Sequence, residues 1–416
     1  MNTAADAQTV SITPASFDFL SPQAVRDPYP AFDELREAAP VFWSDTLRAW
    51  VVTRYAEVRA AYRNGALASD RISPVYERRL ARSENADHRR VFEVLAKFLV
   101  FTDPPVHTRL RKLVEYAFRP RAIARMEGVV QVLIDELVEE LGERSSCDFL
   151  DDFADPLPVR FIAGMFGVDR EHHASMSQWS DDIVGLLFGA LDDHERHTRA
   201  ADGLESFAGL IKELIKRRRV ERGEDVLSDL VAAQDAGDTL TDDEIVATCV
   251  LLLFAGHETT RNLLANGVKN LQLGSGSWHS VGTDMDIAKG AVEEILRFDG
   301  PIKSMWRLTS EDTELAGEHV EKGSRVLLVQ SAANRDPRRF DAPSEFNIQR
   351  SPNYHVGFGY SAHYCMGAAV ARLEGRLALH ALSKRFPNLA LDTDVFDYQP
   401  FIVTRALKSL PVKLDG

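Results

Sequence analysis

Two short stretches carry residues whose types and spacing suit chemistry. The first is GFGYSAHYCMG, from Gly357 to Gly367. It sets Cys365 two residues after His363, among small residues and the aromatic rings of Phe358 and Tyr360. A cysteine that only packs in a core behaves as a small hydrophobe and needs no such frame. A thiolate that reacts or binds a metal does need one. The residues that follow, MGAAVARLEGRLALHALSKRF, pattern as a strong helix with a basic end. Cys365 therefore stands at or just before a helix N-terminus, where backbone N–H groups and the positive dipole end favour a thiolate. Inert burial is the ordinary alternative for a single cysteine.

The second stretch is AGHETT, from Ala255 to Thr260. It puts Gly256, an acid at Glu258 and the hydroxyls of Thr259 and Thr260 inside an otherwise apolar helical run. A glycine costs about 1 kcal/mol in a helix interior. Thr259 can return its hydroxyl to the carbonyl of Ala255, four residues back, which bends a helix. A local break in a consistent element marks either a kink with a solvated Glu258 or a functional site. On this stretch alone the two readings weigh equally.

The elements that must position these residues are mostly helical. TLTDDEIVATCVLLLFAGHETTRNLLANGVKNLQ opens with Thr241 and Glu244 at capping-box spacing and is then apolar all round, which predicts a helix buried through the core. At ~30 residues and ~1.5 Å rise each, it would cross the whole domain. Helical spacing dominates from Pro104 to Leu273, and VFWSDTLRAWVVT reads as a β-hairpin. Strands are expected near RVLLVQ and in FIVTRALKSLPVKL. NRDPRRFDAPSEFNIQRSPNYH is rich in Pro, Asn and Asp and reads as an irregular meander. Ser69 to Leu95 reads as a long charged loop with at most one short helix. With no repeats and no low-complexity linker, residues 1–416 read as a single domain, mainly α with a minor β region, behind a flexible tail over 1–16.

Composition narrows the class. The chain has 416 residues, 45% hydrophobic and 27% charged, which suits a globular protein with a large core. Its net charge of -14 argues against nucleic acid as a partner. Cys147, Cys249 and Cys365 are far apart and odd in number, which argues against a disulfide framework and fits a reducing cytoplasm. The start has no basic stretch followed by an apolar one, and the longest apolar run, Ile245 to Gly256, is too short for a bilayer. A soluble cytoplasmic protein without membrane contact is expected.

Taken together, the motifs resemble those of the cytochromes P450. FGYSAHYCMG resembles the family's haem-binding loop, F-G-x-G-x-(H/R)-x-C-x-G, and AGHETT its oxygen-activating motif, (A/G)-G-x-(D/E)-T-(T/S). EILR, Glu294 to Arg297, matches E-x-x-R, and HTRLR after DPP matches the haem-edge helix of the soluble bacterial members. The motifs come in the family's order and the likeness covers nearly the whole chain. One departure is Ser361, where the family has its second glycine; a slightly altered loop geometry is expected, not loss of haem. The His257 position varies in the family and is given no weight.

The resemblance implies the P450 fold: a long central helix over haem b, with small sheets to one side. It implies that Cys365 is the thiolate ligand of the iron, which favours O–O cleavage. Phe358, Ala255, Gly256 and Gly367 would contact the haem, and His107, Arg111, Arg307 and His363 would meet its propionates. His107 and Arg111 share one helix face by their spacing. Thr259 would hydrogen-bond the bound dioxygen, and Glu258 would relay protons from solvent. Leu252, Ala255, Ile302, Met305, Phe401 and Ile402 would line a mainly apolar substrate pocket, with Lys303 as an exception that meets an anion or, more simply, faces solvent. Glu294 and Arg297 would form a structural brace, with Arg350 as its third member.

The lid would come from Ser69–Leu95 and Phe166–His197, with Arg78, Arg79, Arg82, Arg89 and Arg90 on a solvated face. No flavin or dinucleotide fingerprint appears in the chain, so electrons from NAD(P)H would arrive through a ferredoxin or flavodoxin and its reductase. Arg109, Lys112, Arg119 and Arg121 would form a basic patch for that partner. The implied activity is monooxygenation: one oxygen atom from O2 enters a small-to-medium apolar substrate, most simply as a hydroxyl, in the manner of secondary metabolism. Oxidative coupling, desaturation and a haem-binding sensor without turnover are the competing readings.

Overall fold

The computed structural model describes residues 13–75, 86–115, 118, 120–188, 195–235, 241–274 and 276–414. The long apolar run forms one helix, Asp242–Leu273, 32 residues in length. Its start is fixed by the predicted capping box: the Glu244 N–H donates to Thr241 Oγ1 at 3.2 Å, and the Thr241 N–H donates to Glu244 Oε2 at 2.9 Å. Because the helix is apolar on every side, it is sheathed by others: Pro156–Phe166, His173–Phe188, Arg196–Val220, Met285–Phe298 and Ala368–Arg385. Together they enclose the main hydrophobic core.

The β region lies to one side. The predicted hairpin pairs Val41–Ser44 with Ala49–Val52, Trp43 opposite Trp50. Arg325–Leu328 joins it in parallel, then Met305–Thr309 and Leu67–Ala68 complete a five-stranded sheet. A three-stranded sheet links Ser146–Asp148, Pro411–Lys413 and Ala390–Leu391. Two smaller apolar clusters pack against the faces of the larger sheet. From Arg335 to His355 the chain has no helix or strand, as its Pro, Asn and Asp content predicts.

Within Ser69–Leu95 the described residues include the helix Ala86–Leu95, whose Val91 and Leu95 are fully buried, and residues 76–85 lie outside the described residues. The apolar i, i+4 pair anchors it, and the many arginines hid that stripe in the sequence. Arg90 pairs with Glu205, and Arg78, Arg79 and Arg82 lie outside the described residues. The expected tail is pinned at its end: Pro14–Ser16 form a turn, and the Asp45 N–H donates to the Ala15 carbonyl at 2.8 Å. Residues 189–194 of the second expected lid segment also lie outside the described residues.

Candidate functional site

A cavity of about 300 Å3 lies between the middle of the central helix and the cysteine loop. Ala255, Gly256, Glu258 and Thr259 line one side, and Phe358, Cys365 and Gly367 line the other. His107, Arg111, Arg307 and His363 line it too, and Leu252, Ile302 and Met305 add apolar wall. The motifs, far apart in sequence, therefore share one space. A Cβ at Gly256 would come within 2.9 Å of Ile162 Cδ1, so a larger residue there would make that side chain shift.

The loop earns its shape from left-handed residues. Gly359 has φ 73° and Ser361 has φ 63°. Turned this way, the chain brings the Cys365 N–H to the Phe358 carbonyl at 3.0 Å. Ser361 is thus more than a mild steric change, since a side chain in the left-handed region costs roughly 1–2 kcal/mol. Ser361→Gly is expected to raise stability by about 1 kcal/mol, read as a higher denaturant midpoint for Soret loss with an unchanged slope. No gain in midpoint would mean that the loop relieves the strain elsewhere.

An ion pair braces both flanks of the loop. Arg372 donates from Nε to Glu293 Oε1 at 2.6 Å and from Nη2 to Oε2 at 2.9 Å. Its guanidinium lies 4.6 Å from the Phe358 ring centroid, and Nη1 reaches the Tyr364 hydroxyl at 3.2 Å. His355 Nε2 meets the same Glu293 at 3.1 Å. Cys365 opens onto the cavity yet is enclosed by protein. That burial pushes its thiol up, while the N–H groups of Gly367 and Ala368 and the charges of Arg111 and Arg372 pull it back down.

The cationic end of the cavity is built around His107. It is buried, and its ring lies 4.1 Å from that of His363. Burial, with His363 and Arg111 nearby, pushes His107 down to about 4. Arg111 donates from Nη1 to the carbonyls of Ala362 and Tyr364, at 2.9 and 3.0 Å, and from Nε to Glu115 at 2.8 Å. Arg307 is buried and donates from Nη1 to the Trp306 carbonyl at 2.9 Å. His107 Nε2 is buried without a hydrogen-bond partner. Unpaired buried polar groups and charges are costly, so this end fits a ligand that brings carboxylates. A haem brings two, and the thiol of Cys365 is a donor that iron accepts.

On the opposite side, Thr259 Oγ1 donates to the Ala255 carbonyl at 2.5 Å, the back-bond expected from the sequence. Glu258 is buried and accepts from Asn262 Nδ2 at 2.8 Å. Burial raises its carboxyl above the ordinary range, against the pull of Arg261 and His257.

Two residues with a place here were missed in the sequence. His257 is fully buried, with Nδ1 2.8 Å from Ser180 Oγ and Nε2 2.8 Å from Asp155 Oδ1. It ties helix His173–Phe188, part of the expected lid, to the central helix beside Glu258. Burial raises the Asp155 carboxyl, but His257 and Arg261 outweigh it and hold the group at about 2. Glu374, on the helix after Cys365, lines the cavity from within the core. Burial pushes it up to about 8. Thr260 Oγ1 lies 3.4 Å from its Oε2, and its Oε1 has no partner.

Three expectations about the substrate wall are corrected. Ile402 does not line the cavity: it faces a small separate one with Phe19, Phe32, Leu327 and Val329. A bridge between Ile302 and Thr404 sets the strand direction, so Val403 and Thr404 line the cavity instead. Phe401 stands behind Phe188, ring centroids 6.5 Å apart, and it is Phe188 that lines the wall. Lys303 is neither in the cavity nor in solvent. It is buried, donates from Nζ to the Phe401 carbonyl at 2.6 Å, and burial pushes it down to about 7.

Glu294 and Arg297 are both fully buried, and Arg350 joins them, its Nε 3.2 Å from both Glu294 oxygens. Of the expected basic patch, Arg109 pairs with Glu244 and Lys112 is exposed. Arg119 and the side chain of Arg121 lie outside the described residues. Among the described residues, no helix is long and apolar enough to cross a membrane.

Comparison with known proteins agrees with this geometry. The family model described as Cytochrome P450 matches residues 72–271 and 279–404. The chain is 36% identical over 401 residues to 6-deoxyerythronolide B hydroxylase of Saccharopolyspora erythraea, covering 94% of this chain and 96% of that protein. It is 34% identical over 399 residues to cytochrome P450 monooxygenase PikC of Streptomyces venezuelae, covering 93% and 91%. The crystal structure of CalO2 superposes with a TM-score of 0.89 at 33% identity, covering 97% of this chain and 100% of that one. The chain belongs to the cytochromes P450 of the bacterial type, monooxygenases that work with haem b, O2 and NAD(P)H-derived electrons.

Proposed function

We propose that this P450 hydroxylates a small-to-medium apolar substrate, with Cys365 as the iron's thiolate ligand. The observation that carries the reading is one cavity with the Cys365 thiol on one side and the Thr259 hydroxyl and Glu258 carboxyl on the other. When bound, haem supplies activation of O2 for the insertion of one oxygen atom. The protein's part is to hold substrate and move protons. Leu252, Phe188, Ile302, Met305 and Val403 give an apolar wall that favours a substrate of low polarity and excludes bulk water. Glu258, raised by burial, holds a proton nearer neutral pH than a surface carboxyl does. Thr259, its hydroxyl already donating to Ala255, keeps oxygen lone pairs free to accept that proton's hydrogen bond and pass it into the cavity.

Hydroxylation is favoured over coupling or desaturation by the likeness to a protein named as a hydroxylase. The intact Glu258–Thr259 pair speaks against a sensor, which has no use for it. Electrons would come from a separate ferredoxin or flavodoxin. Exposed Lys112 near the cysteine loop supports a docking face of positive charge, as do Arg59 and Arg63, which both donate to the Tyr360 hydroxyl.

One reconstitution tests the reading. The holoprotein is given a ferredoxin and its reductase, and NAD(P)H use, product and hydrogen peroxide are followed with candidate apolar substrates. A substrate-stimulated rate with hydroxylated product is expected. Thr259→Ala should keep the rate within a few-fold but divert most electrons to peroxide. NAD(P)H use that no substrate stimulates would favour the sensor. Product still tightly coupled to NAD(P)H in Thr259→Ala would remove Thr259 from proton delivery.

A further inference from the structure

Lys303 is a lysine in an apolar place. It is 5% exposed and faces a small cavity walled by Phe19, Ala24, Phe32, Leu327 and Ile402. A methionine would fill such a gap with no polar group to bury. Burial pushes the amine down to about 7; Arg405 adds to that push, and Asp299, itself paired with Lys269 and Arg405, opposes it. Among the described residues Nζ has one acceptor, the Phe401 carbonyl at 2.6 Å, where an ammonium could serve three. An amine so poorly matched costs stability, and exceptions of this kind stand where function needs them.

The acceptor belongs to the segment that builds the substrate wall. From Phe401 to Val403 the chain is neither helix nor strand, and three carbonyls in a row are held from Lys303 and Ser304. Lys303 Nζ donates to Phe401, Ser304 Oγ to Ile402 at 2.9 Å, and the Lys303 N–H to Val403 at 2.7 Å. Lys303 is fixed in turn, because its carbonyl accepts from the N–H and the hydroxyl of Ser331, at 3.0 and 3.1 Å. Two of the three bonds survive any side chain at position 303. The Nζ bond does not, and it holds the end that carries the Phe401 ring. That ring stands behind Phe188, whose own ring meets Phe254 with centroids 5.8 Å apart, and Phe188 and Phe254 both line the cavity.

The geometry points to Lys303 as a positioning residue for substrate: its Nζ fixes the turn at Phe401, and through that turn the placing of Val403, Thr404 and Phe188 against the bound substrate. Lys303 does not line the cavity itself. It orders a piece of wall that has no regular secondary structure of its own, which lowers the ordering cost of binding. The inference rests on this cavity being the substrate site.

Two azoles separate the wall from the iron. Imidazole can bind haem iron without reaching the wall, whereas 4-phenylimidazole carries a second ring towards it. Full-length holoproteins of wild type, Lys303→Met and Lys303→Gln are titrated with each azole at pH 6.5, and the Soret shift gives the dissociation constants. Comparing variant with wild type at one pH cancels the azoles' own protonation. Lys303→Met keeps the length of the side chain but has no donor. It is expected to weaken 4-phenylimidazole about tenfold, the scale of one lost bond from a charged donor, and to leave imidazole within about twofold. Lys303→Gln keeps a donor one bond shorter and should lose less. The denaturant midpoint of ligand-free Lys303→Met should equal or exceed that of wild type, because the variant no longer buries an amine. Stability kept while wall affinity falls is a pattern that a merely structural lysine does not give. Unchanged 4-phenylimidazole binding in Lys303→Met overturns the assignment. So does a joint loss of both azoles with a lower midpoint, which would make Lys303 a general support of the fold. Should Lys303→Met yield no holoprotein, Lys303→Gln carries the same comparison: a loss confined to 4-phenylimidazole supports the assignment, and an equal loss of both azoles overturns it. Failure of the cavity reading looks different, because wild type itself would then bind 4-phenylimidazole no more tightly than imidazole.

Discussion

Replacing Glu294 by leucine is expected to destabilise the protein by about 3–5 kcal/mol, enough that little holoprotein accumulates. Among the described residues, the carboxylate is the anion that pairs with both Arg297 and Arg350. Its oxygens accept from Arg297 Nη2 and Nε, both at 2.8 Å, from the Asn347 N–H at 2.8 Å, and from Asn353 Nδ2 at 3.1 Å. Arg350 adds its Nε at 3.2 Å. Without Glu294, Arg297 stays fully buried with only the carbonyls of Asn334, Pro343 and Glu345 as partners. The damage should reach the haem site through the same bonds. Arg297 holds Asn334, whose side-chain oxygen accepts the Val356 N–H at 2.8 Å, one residue before the cysteine loop begins. Denaturant unfolding, followed by Soret absorbance and circular dichroism, provides the check. Glu294→Leu combined with Arg297→Leu should recover much of the loss, because it removes the stranded charge as well as its partner. A single Glu294→Leu variant within 1 kcal/mol of wild type would show that the brace holds nothing.

How far the site was legible in the sequence depended on the distance over which each residue's role is set. The cysteine loop, the Glu258–Thr259 break and the Glu294–Arg297 spacing are local patterns, and the fold brings each to the shared cavity or its support. The Thr241–Glu244 cap was legible for the same reason, since both partners lie within one turn. Residues outside regular elements were harder. Ile402 and Phe401 follow an irregular stretch, so no period says which side chain faces the cavity; one bridge, Ile302 to Thr404, decides it. Lys303 hides its charge against a carbonyl 98 residues away, a contact with no local sign. His257 was set aside as a variable position, yet its partners, Ser180 on helix His173–Phe188 and Asp155 just before helix Pro156–Phe166, lie 77 and 102 residues earlier. Ser361 was visible as an exception, but its cost was not, because the left-handed φ belongs to the folded loop.

Glu374 joins that last group, and its consequence is a pH dependence of stability. Val370, Leu373 and Leu377 mark the buried stripe of its helix, and Glu374 lies within that stripe. An acid there in sequence suggests a side chain that bends out to water; in the structure it cannot, and burial pushes it up to about 8 from an ordinary 4.5. The folded protein therefore keeps this proton over a range in which the unfolded chain has lost it. Stability contributed by the neutral form is complete below about 4.5 and falls as pH rises towards 8, because the native state then binds more protons than the unfolded one. The full span corresponds to roughly 4–5 kcal/mol, at about 1.4 kcal/mol for each pH unit. Glu374→Gln keeps the shape and an uncharged donor but cannot ionise. The variant should match wild type near pH 5 and be the more stable protein by several kcal/mol at pH 8.5, seen as diverging denaturant midpoints for the two holoproteins. Parallel midpoints across that range would mean that Glu374 is ionised in the folded state, with a cation or water in the cavity balancing it.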